Sequence, residues 1–435
     1  MANNSSRSSL YEEITLEKVG GGVTPVALEG RTLRFSYFES LFSPYVEVDL
    51  TYIDTGNGLS ANGTDTQERL GTIKSSFPIN ALGEESIKFK ITNTLGSLDF
   101  SSNPLIINRA KTEIQESKRE VVTLNLVSRS KIKNELATVE GTFHNSISNT
   151  VSSILTQNLQ VPTNRIFVDP TQNSLSFGGN REKPFKLILS LAKQSKPLQG
   201  SAGYLFWETQ SGYNFKAVDN LISQKNNSGL PTYKYHGVNP RLSEQEKNFR
   251  ILAPPTVAVN QDLLKQLQAG TFKTLNTGFN LQTGQYFKQN EFLNTAGLQN
   301  LGSLSFSNEF ANNVIPKINF FLIDSGNSET GISTAINNNQ FEHIAKSAMR
   351  YNLFLTQVFD VTVPANPSLK AGDVIFCEFE KITLSNLNEG SVDQRFSGPF
   401  VIAKLCHYFS PRNSFTHMRL VSDSYGGLYT GGGAS

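Results

Sequence analysis

Short segments in which apolar and polar residues alternate occupy both ends of this 435-residue chain. Residues 46–53 show the pattern clearly, and residues 86–92 and 121–127 repeat it. A period of two places every second side chain on the same face of a β-strand, so these segments predict half-buried strands. Further strand-like segments follow near the C-terminus, at 359–363, 374–379, 400–405 and 414–421. Because no helical period interrupts the first 127 residues, we expect a small β domain there.

The pattern changes between residues 131 and 200. Apolar residues recur there at helical spacing, namely Phe143, Ile147, Val151, Ile154 and Leu155. This spacing predicts one apolar face of a helix. Residues 184–194 predict a second helix, because proline is favoured in a first helical turn. From residue 203 to 215, aromatic residues flank a polar turn with glycine, which predicts a β-hairpin. Short helices are expected near 261–268 and 341–349, and strands near 278–287 and 318–323. The chain is thus expected to be mainly β, of the α+β class.

The low charge of the chain excludes several function classes. Charged residues make up 17% of the sequence and the net charge is +2, so the basic footprint of a nucleic-acid-binding protein is missing. No apolar run approaches the 18 residues that suggest a membrane span, and we expect no membrane span and no signal peptide. Cys377 and Cys406 are interpreted as two reduced structural thiols.

One pair of motifs suggests a catalytic site. Residues 52–56 and 322–326 both read apolar-apolar-Asp-Thr/Ser-Gly, with Asp54 and Asp324 as the acids. An aspartic protease needs two such loops, because two facing carboxylates must share one proton. Asparagine, however, stands where a hydroxyl residue should follow each glycine, and Asp-X-Gly is ordinary turn chemistry after a strand. We therefore expect no enzyme and no catalytic site.

The histidines give no clear sign of a metal site. Five are scattered along the chain, and only His407 and His417 fall on strands that are expected to be neighbours. A histidine on a strand is more often a satisfied or exposed side chain than a ligand. We expect no metal site, no cofactor-binding site and no cofactor.

Three stretches together resemble a known family. Residues 35–44 (FSYFESLFSP) resemble the opening motif of the central baseplate hub proteins of T-even-type contractile-tailed bacteriophages, which are related to the hub part of type VI secretion spikes. Residues 204–209, together with 212–215 and 218–221, are similar to the central hairpin of that family. Residues 369–375, 397–402 and 407–409, with 420–424 at the end, look like its closing barrel.

The resemblance implies a specific architecture. Two antiparallel tail-tube-like β-barrels are expected, with a mixed α/β segment and an insert. The implied boundaries are an N-terminal barrel at 1–130, a mixed or helical domain at 131–200 and an insert domain at 256–345. The second barrel would be discontinuous, formed by 201–255 and 346–425, and 426–435 would be a flexible Gly-rich tail.

The resemblance also implies a function. Three copies would form a homotrimer that adapts the six-fold tail tube to the three-fold central spike and lets DNA pass on infection. The expected partners are the tail tube protein, the central spike protein, baseplate wedge proteins and the tape measure protein. DNA would only pass through the lumen. The expected location is the baseplate of the virion tail, after assembly in the host cytoplasm.

Two other function classes remain open from the sequence. The β-rich, Asn/Gln-rich composition also fits a sugar-binding or receptor-binding tail protein. An aspartic-type or wall-degrading hydrolase is the third alternative, since any two of the 37 acidic residues could converge.

Overall fold

The computed structural model describes most of the chain, namely residues 9–21, 23–55, 77, 79, 84–116, 119–236, 242–260, 262–280, 284–293, 298–302, 313–323, 340–381 and 392–424. The expected tail at 426–435 and the acid Asp324 lie outside these ranges.

Strands dominate both ends of the chain. The N-terminal strands are Leu10–Lys18 (β1), Val26–Ala27 (β2), Thr32–Ser40 (β3), Glu47–Thr55 (β4), Glu85–Asn93 (β5), Gly96–Asp99 (β6), Leu105–Glu116 (β7) and Arg119–Val127 (β8). The middle of the chain contains Thr142–Ser146 (β9), Ile166–Val168 (β10), Ser174–Gly178 (β11), Tyr204–Thr209 (β12), Gly212–Ala217 (β13), Thr232–Tyr235 (β14) and Thr256–Asn260 (β15). The remaining strands are Lys273–Asn280 (β16), Tyr286–Phe292 (β17), Lys317–Ile323 (β18), Gln357–Pro364 (β19), Val374–Phe379 (β20), Gly398–Phe409 (β21) and Ser414–Ser422 (β22). The prediction of a mainly β, α+β chain is confirmed.

The helices lie mainly in the middle of the chain. They are Arg129–Leu136 (α1), Ile147–Gln157 (α2), Pro184–Gln194 (α3), Val218–Ser223 (α4), Glu244–Asn248 (α5), Leu263–Ala269 (α6) and Gln340–Phe354 (α7). The helix predicted at 184–194 has the predicted bounds. The apolar stripe predicted from Phe143 to Leu155 is helical only from Ile147 onward, because Phe143 lies on β9. The side chain of Ser146 caps this helix by accepting a hydrogen bond from the backbone N–H of Asn149.

The two ends of the chain form one sheet. Among the described residues, fourteen strands join in it, and the main path runs β15-β19-β22-β21-β3-β4-β8-β7-β5-β1-β2. The antiparallel pair of β21 and β3, with Cys406 opposite Phe38, connects the C-terminal strands to the N-terminal ones. One hydrophobic core accordingly contains residues from both regions.

The alternating apolar and polar residues of the sequence lie on opposite faces of this sheet. On β5, Ile87, Phe89 and Ile91 are buried in the core. The lysines between them face the other side, where Lys88 and Lys90 form ion pairs with glutamates of β1 at 2.7 Å and 2.6 Å. Each strand therefore has one apolar and one polar face, as a period of two requires.

The aromatic hairpin β12–β13 differs from the predicted assignment to the second barrel. It pairs with β10 in a separate three-stranded sheet. All six residues of β12 are buried, because this strand has a core on each face. Tyr204 and Phe206 pack with the helices of the middle segment, whereas Leu205 and Trp207 pack with the C-terminal strands. The hairpin thus lies between two cores and belongs to neither end region by pairing.

The predicted insert also differs at its edges. β15, which the prediction places in the insert, pairs with β19 of the large sheet. Residues 273–280 and 286–292 form the two arms of a hairpin where one strand was predicted at 278–287, and β18 pairs in parallel with β16. The remaining domain boundaries stay a prediction.

Candidate functional site

A buried glutamate joins the three stretches that carry the family resemblance. Glu39 lies on β3 and is 2% exposed. Its Oε1 accepts hydrogen bonds from the Tyr37 hydroxyl at 2.6 Å and from the backbone N–H of Gln210 at 2.8 Å. Its Oε2 accepts from the backbone N–H of Ala371 at 2.8 Å. One side chain therefore ties the N-terminal motif to the tip of the hairpin and to the turn at 369–373. We call Glu39 and these contacts the Glu39 junction.

The turn at 369–373 fits closely against the hairpin. The indole Nε1 of Trp207 donates to the backbone oxygen of Ala371 at 2.9 Å, and the Lys370 ammonium donates to the Ser211 hydroxyl. Gly372 has a φ of +95°, and a Cβ there would lie 2.8 Å from Cζ2 of Trp207. Glycine is therefore required at this position by both conformation and space.

A buried histidine is also hydrogen-bonded to this turn. His407 on β21 is fully enclosed, with Nε2 3.2 Å from the backbone oxygen of Leu369 and Nδ1 2.9 Å from the Thr416 hydroxyl. Because a carbonyl only accepts, Nε2 carries the proton in this arrangement and Nδ1 accepts from Thr416. Burial lowers the pKa of His407 to about 4, so the ring is neutral at physiological pH.

Two buried carboxyls near the hairpin, those of Glu39 and Glu208, have raised pKa values. Burial raises the pKa of Glu39 to about 7, although hydrogen bonds from Tyr37, Ala371 and Gln210 oppose the rise. Burial likewise raises the pKa of Glu208, on the hairpin, to about 7. Glu208 accepts from the backbone N–H of Val46 at 3.2 Å. Both side chains are at most 3% exposed, so they hold segments together and are closed to a substrate from solvent.

A second buried network lies around Arg350 on α7. Its guanidinium donates to Asp219 Oδ1 at 2.8 Å and to Asp423 Oδ2 at 2.9 Å, and it also contacts the backbone oxygen of Gln299. Asp219 follows the hairpin and Asp423 follows β22, so the arginine connects the hairpin stretch of the resemblance with its last segment, 420–424. Burial raises the pKa of Asp219, and the Arg350 charge opposes this effect.

Only one acid of the motif pair that suggested a protease lies among the described residues. Asp54 lies on β4, is 2% exposed and has the Arg31 guanidinium 3.9 Å from its carboxylate. Asp324 lies outside the described residues. Asp54 is therefore a buried acid on a strand of the large sheet, with the Arg31 guanidinium as its cationic neighbour.

The two histidines that were expected on neighbouring strands do not converge. His407 and His417 lie on neighbouring strands, but His407 faces the core whereas His417 is exposed and contacts the Thr362 hydroxyl. Cys377 and Cys406 are both free thiols. Within the described part of the chain, no group of three His, Cys, Asp or Glu residues is placed to hold a metal ion. None of the helices in the described ranges has the length and hydropathy that a membrane span requires.

Comparison with known proteins shows which proteins this chain is similar to. The probable baseplate hub protein gp334 of Vibrio phage KVP40 is 22% identical to this chain over 295 residues, which are 64% of this chain and 66% of that protein. The match thus spans slightly less than two thirds of the relative. No protein-family model matches the sequence. The resemblance to phage baseplate hub proteins is confirmed.

The fold agrees with this resemblance. The 43 kDa tail protein of prophage MuSo2 from Shewanella oneidensis superimposes with a TM-score of 0.53 at 11% identity, covering 96% of this chain and 99% of that one. The tail protein from Neisseria meningitidis MC58 gives the same TM-score at 9% identity, covering 97% and 98%. The chain therefore has the fold of these tail proteins over nearly its whole length. The proteins it resembles are named as tail and baseplate components, in agreement with the expectation that this chain is not an enzyme.

Proposed function

We propose that this chain is a structural protein of a phage tail, the hub at the centre of its baseplate. As a homotrimer it joins the tail tube to the central spike and leaves a passage for DNA. The observation that carries the proposal is the sequence match to a baseplate hub protein, on a chain with the fold of tail proteins throughout.

The buried polar junctions support a structural role. Glu39 and Arg350 use ionisable side chains to bind distant segments of the chain, and neither is open to solvent. A hub must keep its parts in one fixed arrangement while a tail contracts around it. Buried, fully hydrogen-bonded polar groups favour one arrangement over others, because any shift leaves a donor or acceptor without a partner.

An exposed apolar strand supports assembly with other chains. Ile318, Phe320 and Leu322 on β18 are each at least 63% exposed. Within the described residues β18 is an edge of the β17-β16-β18 sheet. Contiguous exposed apolar side chains on an edge strand are a liability for an isolated monomer, and assembled proteins cover such edges with a neighbour.

The test measures stoichiometry and partners of the full-length protein. Light scattering should give about three subunits per particle, and affinity purification from infected cells should recover the tube and spike proteins. Phe320→Ser should weaken the trimer, and Lys288→Ser is the matched control. Thr277 on the central strand lies between Phe320 on one side and Lys288 on the other, and Lys288 is also exposed. A stable monomer at micromolar concentration that recovers host glycan instead of tail proteins would show that the chain is a receptor-binding protein.

A further inference from the structure

A polar cavity lies between the N-terminal sheet and the middle segment. It has a volume of about 200 Å³, which is many times the space one water molecule needs. Its polar lining includes Ser128, Arg129, Lys133, Arg165, Glu208 and Tyr213. The cavity is separate from the contacts of Glu39, although Glu208 reaches it from the same hairpin.

Two buried hydroxyls in this cavity face the Glu208 carboxyl without a well-formed hydrogen bond among the described residues. They belong to Ser128 and Tyr213, and their approach to Glu208 lowers the pKa of its carboxyl, against the larger effect of burial. Ser128 and Tyr213 are 5% and 2% exposed. Leaving such groups unpaired costs on the order of 1–3 kcal/mol each, so the cavity is built for a polar occupant.

The charges around the cavity are mainly positive. Arg129, Lys133 and Arg165 line it, and the Arg165 charge acts on the one acid there, Glu208, whose pKa it lowers. Burial lowers the pKa of Lys133, and the neighbouring Arg129 charge adds to the effect. Ser128 precedes α1 as its N-cap residue, yet its side chain accepts no hydrogen bond from the helix. The free N–H groups of the first turn of α1 therefore add a further partial positive charge.

We infer that this cavity binds an oxyanion, meaning a carboxylate or phosphate group. The hydroxyls of Ser128 and Tyr213 donate to its oxygens, and the three cations balance its charge. Water alone would satisfy the hydroxyls but would leave three cations facing a single acid, Glu208. Glu208 is the one acid in the lining; one of its oxygens already accepts from Val46, and burial raises the pKa of its carboxyl to about 7, which limits its repulsion of a bound anion at neutral pH.

Calorimetric titration of the full-length protein tests the inference. Inorganic phosphate and acetate are titrated separately, with sodium chloride at the same ionic strength as the reference. Tighter binding of phosphate identifies a phosphate group as the natural occupant, and tighter binding of acetate identifies an acidic side chain of another protein. Either result supports the inference.

Two variants with matched controls locate the binding. Tyr213→Phe removes one hydroxyl of the cavity lining, and Lys133→Gln removes one cation. Each should weaken the binding at least tenfold. Tyr11→Phe removes another buried hydroxyl without a partner, and Lys193→Gln removes an exposed lysine of α3; both lie outside the cavity and should bind as the wild type does.

Two results would overturn the inference. The first is the absence of any binding beyond that of chloride. The second is binding of equal strength in Tyr213→Phe, Lys133→Gln and the controls, which would show an adventitious ion only. An unfolding curve measured for each variant without anion shows that the variant is folded.

Discussion

Replacing Glu39 with glutamine should remove a defined part of the pH dependence of stability. In the folded protein, burial raises the pKa of Glu39 from 4.5 to about 7. Between these two values the folded state holds a proton that the unfolded state has lost, so the free energy of unfolding falls as the pH rises. A pKa change of this size corresponds to about 3 kcal/mol. The fall begins near pH 4.5 and is complete somewhat above pH 7.

The measurement is urea unfolding at fixed protein concentration from pH 5 to pH 8. Trp207 is the only tryptophan of the chain and lies in the same turn contact, so its fluorescence reports the junction. The free energy of unfolding of the wild type, minus that of Glu39→Gln, should fall by about 2–3 kcal/mol between pH 5 and pH 8. Glu208 and the other buried acids titrate in both proteins, so their contributions cancel. A difference that stays constant would mean that Glu39 is ionised throughout, with its three donors outweighing burial.

Three further substitutions test other parts of the buried network. Trp207→Ala should cost about 3–5 kcal/mol, because the indole is 2% exposed and hydrogen-bonded; circular dichroism replaces fluorescence as the probe. Arg350→Ala should also cost about 3–5 kcal/mol, since it leaves two buried carboxylates without their cation. Adding Asp219→Asn should restore part of that loss, and a fully additive double variant would contradict the ion-pair explanation. Gly372→Ala should lower the free energy of unfolding by about 2–4 kcal/mol, from its positive φ and the overlap with the indole. Gly20→Ala, at a φ of +92° with nothing within 4 Å, should show only the backbone part, about 1–2 kcal/mol.

The sequence predicts those elements that have one buried and one solvated face. β5 is such a strand, and its alternation identifies it without any knowledge of its neighbours. Residues 374–379 and 184–194 have the predicted bounds for the same reason: a proline or turn marks the start, and an apolar pattern with one period follows. The hairpin β12–β13 could be recognised as a hairpin, but β12 is buried on both faces. Such a strand carries no alternation that shows which sheet or core it joins.

The buried junction could not be predicted from residue patterns. Two of the three donors to Glu39 are backbone N–H groups, on residues 171 and 332 positions further along the chain. A backbone donor has no sequence signature, because every residue except proline supplies one. Arg350 was not singled out either: its partner Asp219 is 131 positions away, and a lone arginine in an apolar helical pattern is usually an exposed residue. The only signal was indirect, since Glu39, Asp219 and Asp423 all lie within the stretches that resemble the hub family.

The position of these residues gives that resemblance a physical basis. Most core positions of a sheet accept any apolar side chain of suitable volume, which is how the fold can be shared with tail proteins at 9–11% identity. The Glu39 junction has no such freedom, because each group there satisfies a specific partner, and a change in one leaves the others unpaired. The groups should therefore be energetically coupled. A double-mutant cycle between Glu39→Gln and Trp207→Phe should show a coupling energy of about 0.5–3 kcal/mol, because Glu39 binds the backbone N–H of Ala371 and Trp207 binds the backbone oxygen of the same residue. Purely additive effects would mean that the two contacts stabilise the turn independently, and that the junction is a set of separate hydrogen bonds.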